Sequence, residues 1–199
     1  MLSLFKPALV LFVLLSLITG IVYPLVVFGI GQAAFPQQAN GSVIQLDGKI
    51  VGSTLIGQKF TAPRYFQGRP SATTATPYNA MASGGSNLGP SNPALVTAVE
   101  QRLASLRAAN PDARGAVPSE LVMASASGLD PDISPQAAGW QAPRVAHARG
   151  LSLAQVRRLV DAHTQPPSLD LFGEARVNVL ALNLALDNAQ RGAAHNPRR

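Results

Sequence analysis

ALVLFVLLSLITGIVYPLVVFGI, residues 8–30, decides how this chain is organised. Lys6 is the last charge before it and Asp47 the first after it. At about 1.5 Å per residue a helix of this length reaches about 35 Å, enough to cross a hydrocarbon core of about 30 Å with modest tilt. The Leu, Ile, Val and Phe residues that fill it each favour insertion by about 0.3–0.6 kcal/mol, for a total of about 5–10 kcal/mol. Ser16, Thr19, Gly20, Pro24 and Gly29 reduce that sum without reversing it. A cleaved signal peptide would have an apolar core of only about 7–15 residues, ending here near Gly31-Gln32-Ala33. The run is longer, so residues 8–30 read as one retained transmembrane helix, bent at Pro24.

Working outward, residues 1–7 carry Lys6 and the terminal amine, whereas Gly31 to Leu46 carries no positive charge. The positive-inside rule then predicts a cytoplasmic N-terminus and an extracytoplasmic main domain, which the resemblance given below makes periplasmic. Residues 31–42 read as a linker, 43–190 as that domain and 191–199 as a disordered basic tail. The chain has 199 residues and a formal charge of +6. Its arginines are scattered from Arg64 to Arg199, and Tyr65 to Arg69 is the nearest approach to a basic, aromatic nucleic-acid surface. Nucleic-acid binding is therefore not expected. The absence of cysteine removes disulfides, thiol catalysis and Cys-ligated metals.

The predicted fold class is α+β: a transmembrane helix followed by a small, loop-rich α/β domain with a short sheet and about four helices. Val43–Leu46 and Lys49–Val51 flank Asp47-Gly48, a type I′ hairpin signal. Thr54 to Phe60 could extend that sheet. Periodicity stops from Ala62 to Asn92, where Tyr65, Phe66, Tyr78 and Met81 suggest an ordered contact loop. Asn92 and Pro93 then open a helix with Leu95, Val99, Leu103 and Leu106 on one face, ending at Asn110-Pro111. Glu120 to Ser125 reads as a strand. Ser134 and Pro135 start a second helix, which Pro143 should kink or split before Gly150. Ser152 and Gln155 form a capping box for a third. Thr164 to Gly173 reads as a loop and Asn178 to Gln190 as the last helix.

Gly84-Gly85-Ser86-Asn87-Leu88-Gly89-Pro90-Ser91 satisfies G-x-x-x-x-G, but Pro90 stands where a phosphate-binding lysine belongs. Glycines and Asx turns shaping a tight loop ahead of a capped helix explain it better. The loop also lacks the last glycine of a nucleophile elbow, although Ser86, Asp130 and His147 or His163 follow a hydrolase order. His147, His163 and His195 are too far apart in sequence for metal-ligand spacing, and Asp130-Pro131-Asp132 reads as a turn. No catalytic or metal residue is assigned. Within the apolar run, Ser16, Gly20 and Pro24 form a small-residue stripe against which another helix could pack. One span with no ionisable residue cannot conduct ions alone.

Taken together, GSTLIGQKF (52–60), YFQGRPSA (65–72), YN (78–79), SGGSNLGPSNP (83–93), SGLDPDISP (127–135), RVAHARGL (144–151) and RVNVLALNLALD (176–187) resemble the C subunit of the Kdp potassium-transporting P-type ATPase, the KdpC family. The resemblance covers nearly the whole chain, and SGGSNLGPSNP is its most specific part. It implies a bacterial inner-membrane complex with a channel-like potassium-binding subunit, an ATP-hydrolysing P-type subunit and a very small fourth subunit. ATP and K+ are used by that complex, and the family is described as a catalytic chaperone that raises the ATP affinity of the hydrolysing subunit. The chain departs from the family's usual pattern at Met123, Asp132 and Ala175, where Thr, His and Pro are usual, so no role is carried onto those positions. Gly84, Gly85, Ser86, Asn87, Gly89, Pro90, Ser91, Asn92, Pro93 and Asp130 are the candidate partner contacts, with Asp130 and Asp132 the carboxylates that could draw cations. A membrane-anchored periplasmic serine hydrolase and a tethered binding module are the alternatives.

Overall fold

The computed structural model describes the backbone of residues 2–195 and the side chains of residues 4–191. The chain divides into two compact units, Met1–Val51 and Gly52–Arg199. In the first, α1 (Leu2–Leu17) runs through a π-helical turn (Ile18–Val22) into α2 (Tyr23–Ala34). The Tyr23 N–H reaches back to the Ile18 carbonyl. Pro24 has no N–H and crowds the preceding turn, and the wider π turn is where that disturbance is absorbed. The stretch Leu4–Ala34 is long and apolar enough to cross a membrane, with a mean hydropathy of 2.6, and its large apolar side chains are exposed. A short helix, α3 (Pro36–Ala39), follows. It precedes the hairpin of β1 (Val43–Leu46) and β2 (Lys49–Ser53), whose turn has the positive φ angles predicted for Asp47 and Gly48.

The second unit carries four helices of ten or more residues. These are α4 (Pro93–Ala109), α5 (Pro135–Arg149), α6 (Leu153–Ala162) and α7 (Val179–His195). Local signals placed their starts. Asn92 Oδ1 accepts the Ala94 N–H at 2.9 Å, Ser134 Oγ accepts from Ala137 at 3.1 Å, and the Ser152–Gln155 capping box is formed in both directions. Asn178 Oδ1 likewise takes the Ala181 N–H at the head of α7. The last helix continues past Gln190 to His195, and residues 196–199 of the expected tail lie outside the described residues.

Three expectations are corrected. Pro143 neither splits nor ends α5, which is continuous to Gly150. Burial of Ala137, Ala138, Ala142, Val145 and Ala146 offsets the lost hydrogen bond. Glu120 to Ser125 is not a strand. Ser119–Leu121 forms a 3-10 turn, adjacent Leu121 and Val122 are both buried, and Glu120 is used to accept the Ser134 N–H and hydroxyl. Thr54 to Phe60 forms no strand. Gly57 instead donates to the Leu129 carbonyl at 2.8 Å, alongside a different part of the chain.

The sheet of this unit is made from pieces too short to show a period. β3 (Asp132–Ile133), β4 (Thr164–Gln165) and β5 (Arg176–Asn178) pair antiparallel in the order β3-β5-β4. Ile133 faces Val177 in register, and Val177 faces Thr164. β4 lies inside the segment expected to be loop, and Ser168 and Phe172 bridge just after it. Ile133, Val145, Val156, Val177, Leu182 and Leu186, all fully buried, join Phe66 in one core.

Candidate functional site

The irregular stretch after Ala62 is ordered because side chains take over the work of a strand ladder. Buried backbone N–H and C=O groups need partners. Phe66 N–H and C=O are both bonded by Asn183, at 2.9 and 3.0 Å, and those of Gln67 by Gln141, at 2.9 and 3.0 Å. Arg144 donates to the carbonyls of Pro63 and Tyr65, to Asn110 Oδ1 at 2.7 Å and to Gln141 Oε1 at 2.8 Å. Burial pushes its guanidinium down to about 10, which leaves it cationic at neutral pH. Arg149 holds the Arg64 carbonyl at 2.7 Å and pairs with Asp187 at 2.9 Å, with its guanidinium stacked over Tyr65.

Anchoring Phe66 in the core sets up the next turn of chain. The Tyr78 hydroxyl donates to the Arg69 carbonyl at 2.6 Å, and Ser71 Oγ takes the Tyr78 N–H at 2.8 Å and donates to the Gly128 carbonyl at 2.7 Å. Burial, and then the Asp130 charge, push the Tyr78 phenol up to about 12. Glycine is required at two places here. A Cβ on Gly57 would sit 2.4 Å from the Tyr78 ring and 2.5 Å from the Asp130 carbonyl. One on Gly128, at φ +67°, would sit 2.7 Å from the Gly84 carbonyl. The result is an open cleft of about 670 Å³ lined by residues 58–61, 67–71 and 77–78, by Leu121 and by one side of α4. That volume is in the range of ligand-binding clefts, about 300–1,000 Å³.

The sequence-predicted residues fall beside this cleft rather than in it. Gly84 N–H and Ser83 Oγ bond the Ser127 carbonyl at 2.8 and 3.0 Å, and Gly85 lies against the Ala126 backbone. Ser86, Asn87, Gly89, Pro90 and Ser91 are exposed, with Asn87 in the left-handed region at φ 52°. Asn92 and Pro93 start α4. Asp130 is an ion-pair partner of Arg69 at 3.0 Å and caps the Asp132 N–H, also at 3.0 Å. Asp132 pairs with Arg176 at 3.4 Å and accepts from Asn178 at 3.1 Å. Its pKa is raised, first by burial, although Asn178 and Arg176 pull the other way. Both carboxylates thus already have a guanidinium partner within the chain.

No hydrogen bond among the described residues joins Ser86 to Asp130 or to a histidine. His147 is exposed, and His163 Nδ1 meets the Leu159 carbonyl at 2.8 Å. Met123 is exposed and Ala175 half-buried. Ser16, Gly20 and Pro24 straddle the π turn, and the space beside Gly20 is open. Among the described residues, no three His, Asp or Glu side chains are grouped to hold a metal. Sequence reasoning missed Lys59, Arg69 and Arg102 as neighbours in the cleft. Their sharing of one cleft has no sequence period, and only the Tyr65–Arg69 segment had attracted notice.

A family model described as "KdpC: K+-transporting ATPase, c chain" matches residues 5–188. The chain is 63% identical over 185 residues to the potassium-transporting ATPase KdpC subunit of Polaromonas naphthalenivorans, which covers 93% of this chain and 94% of the relative. The corresponding subunit of Klebsiella pneumoniae is 61% identical over 185 residues, covering 93% and 97%. That of Sorangium cellulosum is 58% identical over 190 residues, covering 96% and 100%.

Proposed function

The chain belongs to the KdpC family, the c chain of the K+-transporting ATPase, and from that premise we propose that it serves potassium uptake without a reaction of its own. Its apolar helix anchors it in the inner membrane beside the channel-like potassium-binding subunit, with the N-terminus in the cytoplasm. The second unit works on the periplasmic side, over the outer mouth of that subunit. The ATP-hydrolysing subunit and a very small subunit complete the assembly. ATP and K+ are handled by those partners, and any rise in ATP affinity is transmitted through the assembled complex.

The observation that carries this reading is the long helix Leu4–Ala34, in which Lys6 is the only charged residue. A lone helix without charge beyond its first turns offers no ion path and serves as an anchor and a packing surface. The incomplete phosphate motif, which ends on Pro90, supports a role without nucleotide chemistry.

The test is protease accessibility in spheroplasts. Protease added outside intact spheroplasts is expected to digest the second unit. Digestion that requires permeabilisation overturns the orientation. In parallel, complex purified without this chain is expected to lose potassium-stimulated ATP hydrolysis, and full retention of that activity overturns the accessory role.

A further inference from the structure

The cleft has a chemistry of its own. Lys59, Arg69 and Arg102 line it, and no carboxylate does. Arg102 uses Nη1 on the Val122 carbonyl at 2.9 Å, and Arg69 uses Nη1 on Asp130. Arg69 Nε is buried with no hydrogen-bond partner. A buried donor on a cation is costly to leave unmade, and a guanidinium fork suits a carboxylate. Phe60, Pro70 and Leu106 give the same cleft an apolar floor.

We propose that this cleft is the socket for an acidic segment of another subunit of the ATPase, which sets a carboxylate against Arg69 and Arg102 and an apolar residue on the floor beside Phe60. Charge selects the occupant: Arg69 is paired with Asp130, but Lys59 and Arg102 have no carboxylate partner among the described residues, and this excess positive charge disfavours basic segments. Shape selects a segment over a free metabolite, because the cleft is open to solvent whereas a small ligand is normally enclosed over 70–90% of its surface. The inference rests on membership of the assembly and is independent of the side of the membrane on which the unit lies.

The experiment uses the complete ATPase purified from cells in which this chain carries a benzophenone side chain at Thr61 or Gln101, both on the exposed rim. Irradiation is expected to link the chain to another subunit, at a segment with Asp or Glu next to an apolar residue. Lys59→Glu, at an exposed position, is expected to weaken retention of the chain in the complex about tenfold, an effect that added salt reduces. Arg102→Gln is expected to act in the same direction, with circular dichroism confirming that it folds. The proposal is overturned if both positions link only to lipid, if the linked segment has no acidic residue, or if Lys59→Glu is retained like the parent chain. Saturable binding of inorganic phosphate that leaves subunit retention unchanged in Lys59→Glu also overturns it.

Discussion

Replacing Arg144 with Met tests whether side chains hold the Pro63 to Gln67 segment against the core. The substitution keeps an unbranched stem of similar shape and deletes the guanidinium. Four acceptors lose a donor: Asn110 Oδ1, Gln141 Oε1 and the carbonyls of Pro63 and Tyr65. Gln141 keeps its bond from the Gln67 N–H, so three acceptors are left without one. An unsatisfied buried polar group costs about 1–3 kcal/mol, which brackets the loss at about 3–9 kcal/mol. Water entering from the edge of Pro63, which is exposed, should keep the loss near the low end, at about 4 kcal/mol. Domains are typically stable by about 5–15 kcal/mol, so such a loss removes much of the total. The assay is urea unfolding of the full chain in neutral detergent, followed by the fluorescence of Trp140, which is buried. Amide exchange should show the Phe66 and Gln67 N–H groups losing protection before those of α6. Arg107→Met, at an exposed position on α4, is the control and should stay within about 0.5 kcal/mol. A cost for Arg144→Met below about 1 kcal/mol, or unchanged exchange at Phe66 and Gln67, would refute the reasoning.

Gly57→Ala should destabilise by about 2–3 kcal/mol, because its Cβ meets the Tyr78 ring and the Asp130 backbone, whereas Gly84→Ala, with open space beside it, should be near neutral; urea midpoints compare them. Tyr78→Phe deletes the donor to the Arg69 carbonyl and should cost about 1–2 kcal/mol in the same assay, with no pH dependence below about pH 9, since the phenol is pushed up to about 12. Asp132 has a raised pKa, so the folded state holds its proton more tightly than the unfolded state does. Its contribution is favourable in acid and is lost as pH rises from the ordinary value of 3.8 through the raised one. Asp132→Asn should therefore gain stability relative to the parent chain across that window and hold a constant difference above it, as read from urea midpoints against pH. Gly20→Leu fills the open face of the apolar helix and should loosen the ATPase complex in detergent; an intact complex with unchanged potassium affinity counts against packing at that stripe.

The candidate site was legible only in fragments. Asn92 and Pro93 announced the head of α4, and the glycines before them announced a tight loop. Tyr78 read as a packing residue and proved to be the one that closes the cleft wall onto Arg69. The glycine-rich loop attracted attention because it resembles a phosphate loop. Gly85 instead lets the chain lie close along the Ala126 backbone, while Gly84 N–H and Ser83 Oγ bond the Ser127 carbonyl. Lys59 and Arg102 are far apart in the chain, and nothing within a few residues of either says that both line one cleft.

By itself the sequence determined whatever is governed by neighbours within about four residues or by bulk transfer to lipid. That covers the apolar helix, the Asp47-Gly48 hairpin and the capped starts of the long helices, where the partner groups are close in the chain and their geometry is set by the backbone. Only the tertiary structure decided the rest. The three-stranded sheet is made of strands two or three residues long, which carry no period. The Pro63 to Gln67 segment is held by Gln141, Arg144 and Asn183, far along the chain, with Asn110 bonded to Arg144, and those side chains could as easily have pointed to water. Distant polar groups become partners only when core burial brings them together and excludes the solvent that would otherwise satisfy them.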